Sequence, residues 1–356
     1  MNLTLHNIMH LIRDKAGELG FVKTGFARYE VLEDESQKLR AWLDAGKQAD
    51  MEWIERGFEK RKDVRLILPN AKSVISLAYN YYTPFEHDET KPKISRYAWG
   101  KDYHKILKPK LKELSRYIEE VVKINYKTSP NPLLRKEGAQ KITEDEGVNI
   151  ICRAYVDDGP VMDKVWAQKA GIGWMGKHTN VINPEFGSWF FIAEIITNID
   201  FQEYDMPIED MCGSCSLCIS ACPTGAITEE YSVEANKCIS YQTIENRGEI
   251  PESIDLDGWI FGCDVCQDVC PFNSPKYNHV TQEKAFFPKE IALPLVKGEY
   301  PQGEGVNITT SPNPLLGKEG AFDSLTEEEF GIVFADSPIK RTKFAGWKRN
   351  LNRLKL

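Results

Sequence analysis

The apolar positions of the chain follow two periods. From Met1 to Gly20, Leu5, Ile8, Met9, Ile12, Ala16 and Leu19 recur every three or four residues, which predicts an amphipathic helix. Leu107, Leu111, Leu114, Ile118, Val121 and Val122 draw the same stripe and predict a helix over 107–124. Ser73–Ala78, Asn149–Val156 and Ser188–Ile196 are instead β-branched or aromatic runs bounded by turns, the pattern of strands. Helix and strand patterns alternate to about Ile199, so residues 1–198 are expected to form an α/β (α+β) domain.

Beyond that point the patterning changes. Residues 199–280 are rich in cysteine and read as a ferredoxin-like module, and residues 281–356 as a small helical, basic C-terminal region. One segment recurs: Thr128–Ala139 returns as Thr310–Ala321 with only Arg135 changed to Gly317. Two copies so far apart cannot stack as a solenoid, and Ser-Pro-Asn-Pro followed by Lys-Glu-Gly is turn chemistry. They read as inserted surface loops, covering about 127–147 and about 299–322, that tolerate deletion.

The length of 356 residues suits two or three domains. The N-terminal pattern lacks the apolar core of a signal peptide, and no stretch is long enough to span a bilayer, so a cytoplasmic protein with no membrane partner is expected. A net charge of −8 argues against general coating of nucleic acid. Two basic stretches qualify that: Lys101, Lys105, Lys108, Lys110, Lys112 and Arg116, and then Lys340, Arg341, Lys343, Lys348, Arg349, Arg353 and Lys355. Each is either a solvated helix face or a local phosphate-contacting patch.

The cysteines change the picture most. Eight of nine lie between Cys212 and Cys270. Cys212, Cys215, Cys218 and Cys222-Pro223 form the run C-x2-C-x2-C-x3-C-P, in which three thiolates hold one iron–sulfur cube and the fourth ligates the other. Cluster one is therefore assigned Cys212, Cys215, Cys218 and Cys270, and cluster two Cys263, Cys266, Cys222 and Cys238. A disulfide framework belongs to small secreted domains. Structural zinc takes separated pairs rather than a third cysteine followed by Cys-Pro. Cys152, alone in an apolar run, reads as a small buried side chain.

Other motifs are weaker. Gly171-Ile-Gly173-Trp174-Met-Gly176-Lys177-His178 matches a dinucleotide loop and nearly a phosphate loop, but it follows a helical pattern instead of a strand, and His178 stands where Ser or Thr should hold a metal. Its glycines are expected to let backbone approach a large flat ligand. Asp157 and Asp158 end a predicted strand, a place from which a carboxylate can face a ligand crevice, although Asp158 also suits a turn or N-cap. His104 is expected to be solvent-exposed at a Lys-rich helix start.

Taken together these residues resemble the epoxyqueuosine reductase family, cobalamin-dependent iron–sulfur enzymes related to reductive dehalogenases. The resemblance rests on Lys60-Arg61-Lys62-Asp63, Leu68–Ile75, Arg96–His104, Val156–Pro160, Ala170–Lys177, Pro184–Ser188, the full cysteine pattern including the Cys222-to-Cys238 interval, and Phe330 to Arg341. The two repeats are foreign to the family pattern, and many members continue into a helical-repeat extension where this chain ends.

The resemblance implies reduction of epoxyqueuosine to queuosine at the wobble position of tRNA. Base-off cobalamin would lie between the two domains, cob(I)alamin would attack the epoxide, and Asp157 would be the proton donor. Electrons would come from reduced flavodoxin or ferredoxin through two 4Fe–4S clusters. Arg61, Tyr97, Asp157, Val181, Ile192, Ser240 and Asp264 fall at implied corrin contacts, and Asn246 and Arg247 at an implied anticodon-loop contact. The protein is expected to be a monomer. A reductive dehalogenase or other small-molecule reductase is the alternative, against which stands the lack of a twin-arginine signal. A plain ferredoxin would leave the α/β segment unexplained.

Overall fold

The computed structural model describes residues 4–128, 149–288, 296–297 and 324–354. Apart from the end of one helix at Thr128, the two repeats lie outside these residues.

Helix α1 (Leu5–Glu18) starts at Thr4, whose hydroxyl accepts from the Asn7 amide, and leads into strand β1 (Lys23–Arg28). Helices α2 (Glu33–Asp44), α3 (Trp53–Arg56) and α4 (Phe58–Lys62) precede β2 (Ser73–Asn80). Short strands β3 (Glu86–His87) and β4 (Lys93–Ile94) come before the long helix α5 (Tyr103–Thr128). Then follow β5 (Cys152–Tyr155), α6 (Asp163–Lys169), a two-stranded hairpin of β6 (Trp174–Met175) and β7 (Val181–Ile182), and β8 (Phe190–Thr197).

Among the described residues the main sheet has four antiparallel strands in the order β1-β2-β8-β5. Its central strand β2 is buried along all eight residues, because both faces are covered. Ile75, Leu77, Ala193 and Ile195 point to one face with α1 and with Leu107, Leu111, Leu114 and Ile118 of α5. Val74, Ala78 and Ile196 point to the other, against Trp166 and Ala167 of α6. The pleat sends alternate residues to opposite faces, so one register sorts both cores. The α5 stripe read from periodicity is the buried one, and each such aliphatic side chain contributes roughly 1.5–3 kcal/mol by leaving water.

The cysteine-rich module carries α7 (Leu217–Ala221), α8 (Ile239–Ile244), β9 (Trp259–Phe261) and α9 (Val265–Asp268). Strand β9 pairs in parallel with β4, which ties the module to the first domain. The C-terminal helix Lys343–Leu354 is part of the same packing: Trp347 and Leu351 share a core with Phe85, Trp99, Ile260 and Phe261. Its Asn350 amide donates to the carbonyls of Thr243 and Ile260 at 2.9 Å each. No helix among the described residues is long and apolar enough to cross a membrane.

Candidate active site

A cavity of about 1180 Å³ opens between the α/β domain and the cysteine-rich module. Arg61, Tyr97, Asp157, Val181 and Ile192 line it from the first side, and Ser240 and Asp264 from the second. These seven residues span more than 200 positions of sequence, and one wall-to-wall space gathers them. Cys222, Cys238, Cys263 and Cys266 also line it, whereas Cys212, Cys215, Cys218 and Cys270 do not.

Asp157 stands two residues beyond β5 with a φ of 53°, a left-handed conformation that non-glycine residues rarely adopt. The Tyr103 hydroxyl donates to its Oδ2 at 2.7 Å. Tyr103 is itself held between Phe191, stacked at 4.3 Å, and His104 at 4.1 Å. Tyr103 went unnoticed in the sequence because its partner is 54 residues away. His104 is not the solvent-exposed residue expected: it lines the cavity and its Nδ1 bonds Asp102 Oδ1 at 2.9 Å, because the turn before α5 brings the two together. Asp158 forms a turn, accepting from the Val156 amide, and pairs with Lys108 at 2.7 Å.

Three further cavity residues were not expected there from sequence. Asp163 has a buried Oδ1 without a partner, and its carboxyl is pushed up to about 7 by burial and by the charge of Asp157, opposed by Arg61. His178 is 3% exposed, accepts from the Asn180 amide at Nδ1, and is held down to about 4 by burial and by Lys164. The exposed Lys164 donates from Nζ to the Thr179 carbonyl at 2.8 Å and to Asn180 Oδ1 at 3.1 Å.

None of the nine cysteines is in a disulfide. The thiols fall into two electrostatic groups. After burial, Cys270 is pushed up, to about 11, by Cys212, Cys218 and Cys215. Cys263 is raised by burial and then by Asp264 and its neighbours Cys266 and Cys238, and Cys266 by burial and by Cys238, Asp264, Cys222 and, from the other group, Cys218. Dense thiols whose thiolates would repel one another suit a cationic iron–sulfur core, so the residues fit two such groups. Cys152, expected to be buried, is half-buried: its sulfur lies 3.8 Å from Thr197 Oγ1 and burial raises the thiol to about 12.

The glycine motif is placed elsewhere than expected. Gly171, Gly173, Trp174 and Gly176 do not line the cavity. A Cβ on Gly173 would lie 2.2 Å from the Ile182 carbonyl, and one on Gly171 2.6 Å from that of Met206, so the close approach they permit is backbone to backbone. Asn246 is buried, its amide donating to Gln242 and Glu249 while its oxygen accepts from Gly248; exposed Arg247 donates to the carbonyls of Ile244, Arg341 and Thr342. Arg349 is also internal, donating to Gln242, Asn246 and Gly248. Lys340, Arg341 and Lys343 instead rim the cavity.

Comparison with known proteins bears on this arrangement. Residues 61–130 match the family described as epoxyqueuosine reductase QueG, DUF1730, and residues 211–273 match a 4Fe-4S double cluster binding domain. An epoxyqueuosine reductase of Cellulophaga algicola is 40% identical over 347 residues, 97% of each chain. The chain belongs to the epoxyqueuosine reductase family. That of Synechocystis is 40% identical over 89% of this chain and 94% of its own. Among solved structures, an epoxyqueuosine reductase with a tRNA-Tyr epoxyqueuosine-modified stem loop matches with a TM-score of 0.77 and 28% identity, over 98% of this chain and 81% of that one. The Bacillus subtilis epoxyqueuosine reductase, solved with its aspartate catalytic loop swung out of the active site, matches with a TM-score of 0.74 and 27% identity over the same shares. The epoxyqueuosine reductases are oxidoreductases, and the double-cluster module of this member is the electron-carrying part expected of one.

Proposed function

We propose that this protein reduces epoxyqueuosine in tRNA to queuosine within the cavity between its two modules. The observation that carries the reading is the gathering of Asp157, the corrin-contact positions and the four cysteines of cluster two around one space. Its volume of about 1180 Å³ exceeds the roughly 300–1,000 Å³ of drug-sized pockets, which suits a large planar ligand together with a flipped-out base. Aromatic Tyr97 and Tyr103, aliphatic Val181 and Ile192, and polar Ser240 and Arg61 fit a flat group with an amide-fringed rim. The residues present therefore fit cobalamin, which when bound would supply a strongly reducing metal nucleophile for the epoxide carbon.

The chain's own side chains do the rest. Removing an epoxide oxygen consumes two electrons and two protons and releases water. Asp157 is placed to give a proton to the oxygen as it is freed, general acid catalysis worth about 10²–10⁴-fold. Tyr103 keeps that carboxyl turned into the cavity. Cys222, Cys238, Cys263 and Cys266, which border the cavity, would hold the cluster that supplies electrons there, and Cys212, Cys215, Cys218 and Cys270 the one nearer an external donor such as reduced flavodoxin or ferredoxin. Lys340, Arg341 and Lys343 at the rim attract the phosphates of the anticodon loop. A cytoplasmic monomer suits this work.

The test is anaerobic reconstitution with iron, sulfide and cobalamin, followed by epoxyqueuosine-containing tRNA and a reductant. Queuosine should form. Fully loaded protein that retains no corrinoid, or that makes no queuosine, overturns the reading.

A further inference from the structure

The motif Gly171–Lys177 takes no part in the cavity, yet it is among the most constrained segments of the molecule. Gly173 lets β6 lie against β7 in a register that opposes Trp174 to Ile182. That register fixes the indole, which is fully buried and packs edge-on against Phe272 at 4.8 Å, beside Cys270 and Cys212. Its Nε1–H donates to Cys212 Sγ at 3.4 Å. Three residues on, Lys177, only 4% exposed, donates from Nζ to the Gly213 carbonyl at 2.7 Å and pairs with Glu230 at 2.6 Å. Gly213 lies inside the turn between Cys212 and Cys215. Both contacts thus meet the same loop, from the domain opposite.

We propose that Trp174 and Lys177 are positioning residues that set the reduction potential of cluster one, acting through Cys212 and the turn that follows it. The proposal rests on the two-cluster reading above. Adding an electron makes a cluster more negative. An N–H aimed at a ligand sulfur and a buried ammonium beside the ligand loop both stabilise that state more than the oxidised one, and hydrogen bonds to the sulfurs and local charge are established determinants of cluster potential. The consequence is directional: the cluster away from the cavity becomes the easier one for an external donor to reduce. The glycines then serve chemistry indirectly, by letting a tight hairpin carry an indole to a sulfur.

The experiment is a potentiometric titration of the anaerobically reconstituted holoprotein, followed by electron paramagnetic resonance, without tRNA. Trp174→Phe keeps the ring against Phe272 and removes the N–H; Lys177→Met removes the charge. Each should lower the midpoint potential of the same single cluster and leave the other unmoved. No shift, equal shifts of both clusters, or shifts of different clusters in the two variants overturns the proposal while leaving the functional reading intact. A role in packing alone would reduce cluster content without moving either midpoint. If Trp174→Phe fails to take up iron, Lys177→Met decides alone. Wild-type protein that forms no clusters removes the functional reading and this one together.

Discussion

Asp157 illustrates how much one residue depends on another that is distant in sequence. Its left-handed backbone costs roughly 1–2 kcal/mol in a non-glycine residue. The hydrogen bond from Tyr103 is worth about 0.5–1.5 kcal/mol. The two are of similar size, so the Tyr103 hydroxyl offsets much of the cost of that conformation. Asp157→Asn is expected to keep both clusters and the corrinoid but to lower the rate of queuosine formation by at least 100-fold, measured in single-turnover assays. Tyr103→Phe, which preserves the stacking on Phe191, should lower that rate about tenfold with little change in melting temperature. Asp163 affects stability through pH. Its carboxyl titrates near 7 in the fold against 3.8 ordinarily, so the folded state holds the proton more tightly. Stability from this group is full below pH 4, falls as pH rises to 7, and stays lost above that. Asp163→Asn should therefore raise the melting temperature at pH 8 and change it little at pH 4. An equal effect at both values would count against the buried carboxyl as the cause.

At the scale of elements, the C-terminal helix Lys343–Leu354 is the instructive case. Its basic residues suggested either a solvated face or a phosphate patch, and the structure divides them: Arg349 turns inward to backbone carbonyls, while Lys340, Arg341 and Lys343 surround the cavity mouth. Asn350, fully buried, closes the carbonyls of Thr243 and Ile260 beside the cluster module. Asn350→Leu removes the donor to the Ile260 carbonyl and one of two donors to that of Thr243, which keeps the Thr342 hydroxyl, and should destabilise the protein by about 1–3 kcal/mol in denaturant unfolding. The helix before it, Glu327–Val333, begins with a capping box in which Thr326 and Glu329 bond reciprocally. Such a cap depends on local sequence only, because its four residues meet without help from the rest of the chain, although the apolar pattern did not single it out. The glycine motif was harder: its pattern says that backbones come close, and not which backbones.

For the molecule as a whole, the cavity exists because two separately cored modules meet, joined by the parallel pairing of β4 with β9 and by the shared core around Trp99 and Trp347. The cysteine-rich module has only short elements around its thiols, helices of four to six residues and a three-residue strand, so its fold should lean on the clusters, as metal-coupled domains do. Chelation of iron is expected to lower the melting temperature of the loaded protein and abolish its visible absorbance together. An unchanged melting temperature would mean that the module folds independently of them.

The sequence by itself determined what depends on near neighbours: the helix stripe of α5, the strand runs around β2 and β8, and the cluster-binding character of cysteines two or three residues apart. Thiolates so closely spaced can only bend round a shared centre, and apolar stripes of fixed period can only bury one face. Tertiary structure alone decided which four cysteines border the cavity, that the Tyr103 hydroxyl meets Asp157, and that Trp174 reaches a sulfur. Each of these is a meeting of residues dozens of positions apart or more, fixed by how sheets, helices and modules pack. No local pattern encodes such distances.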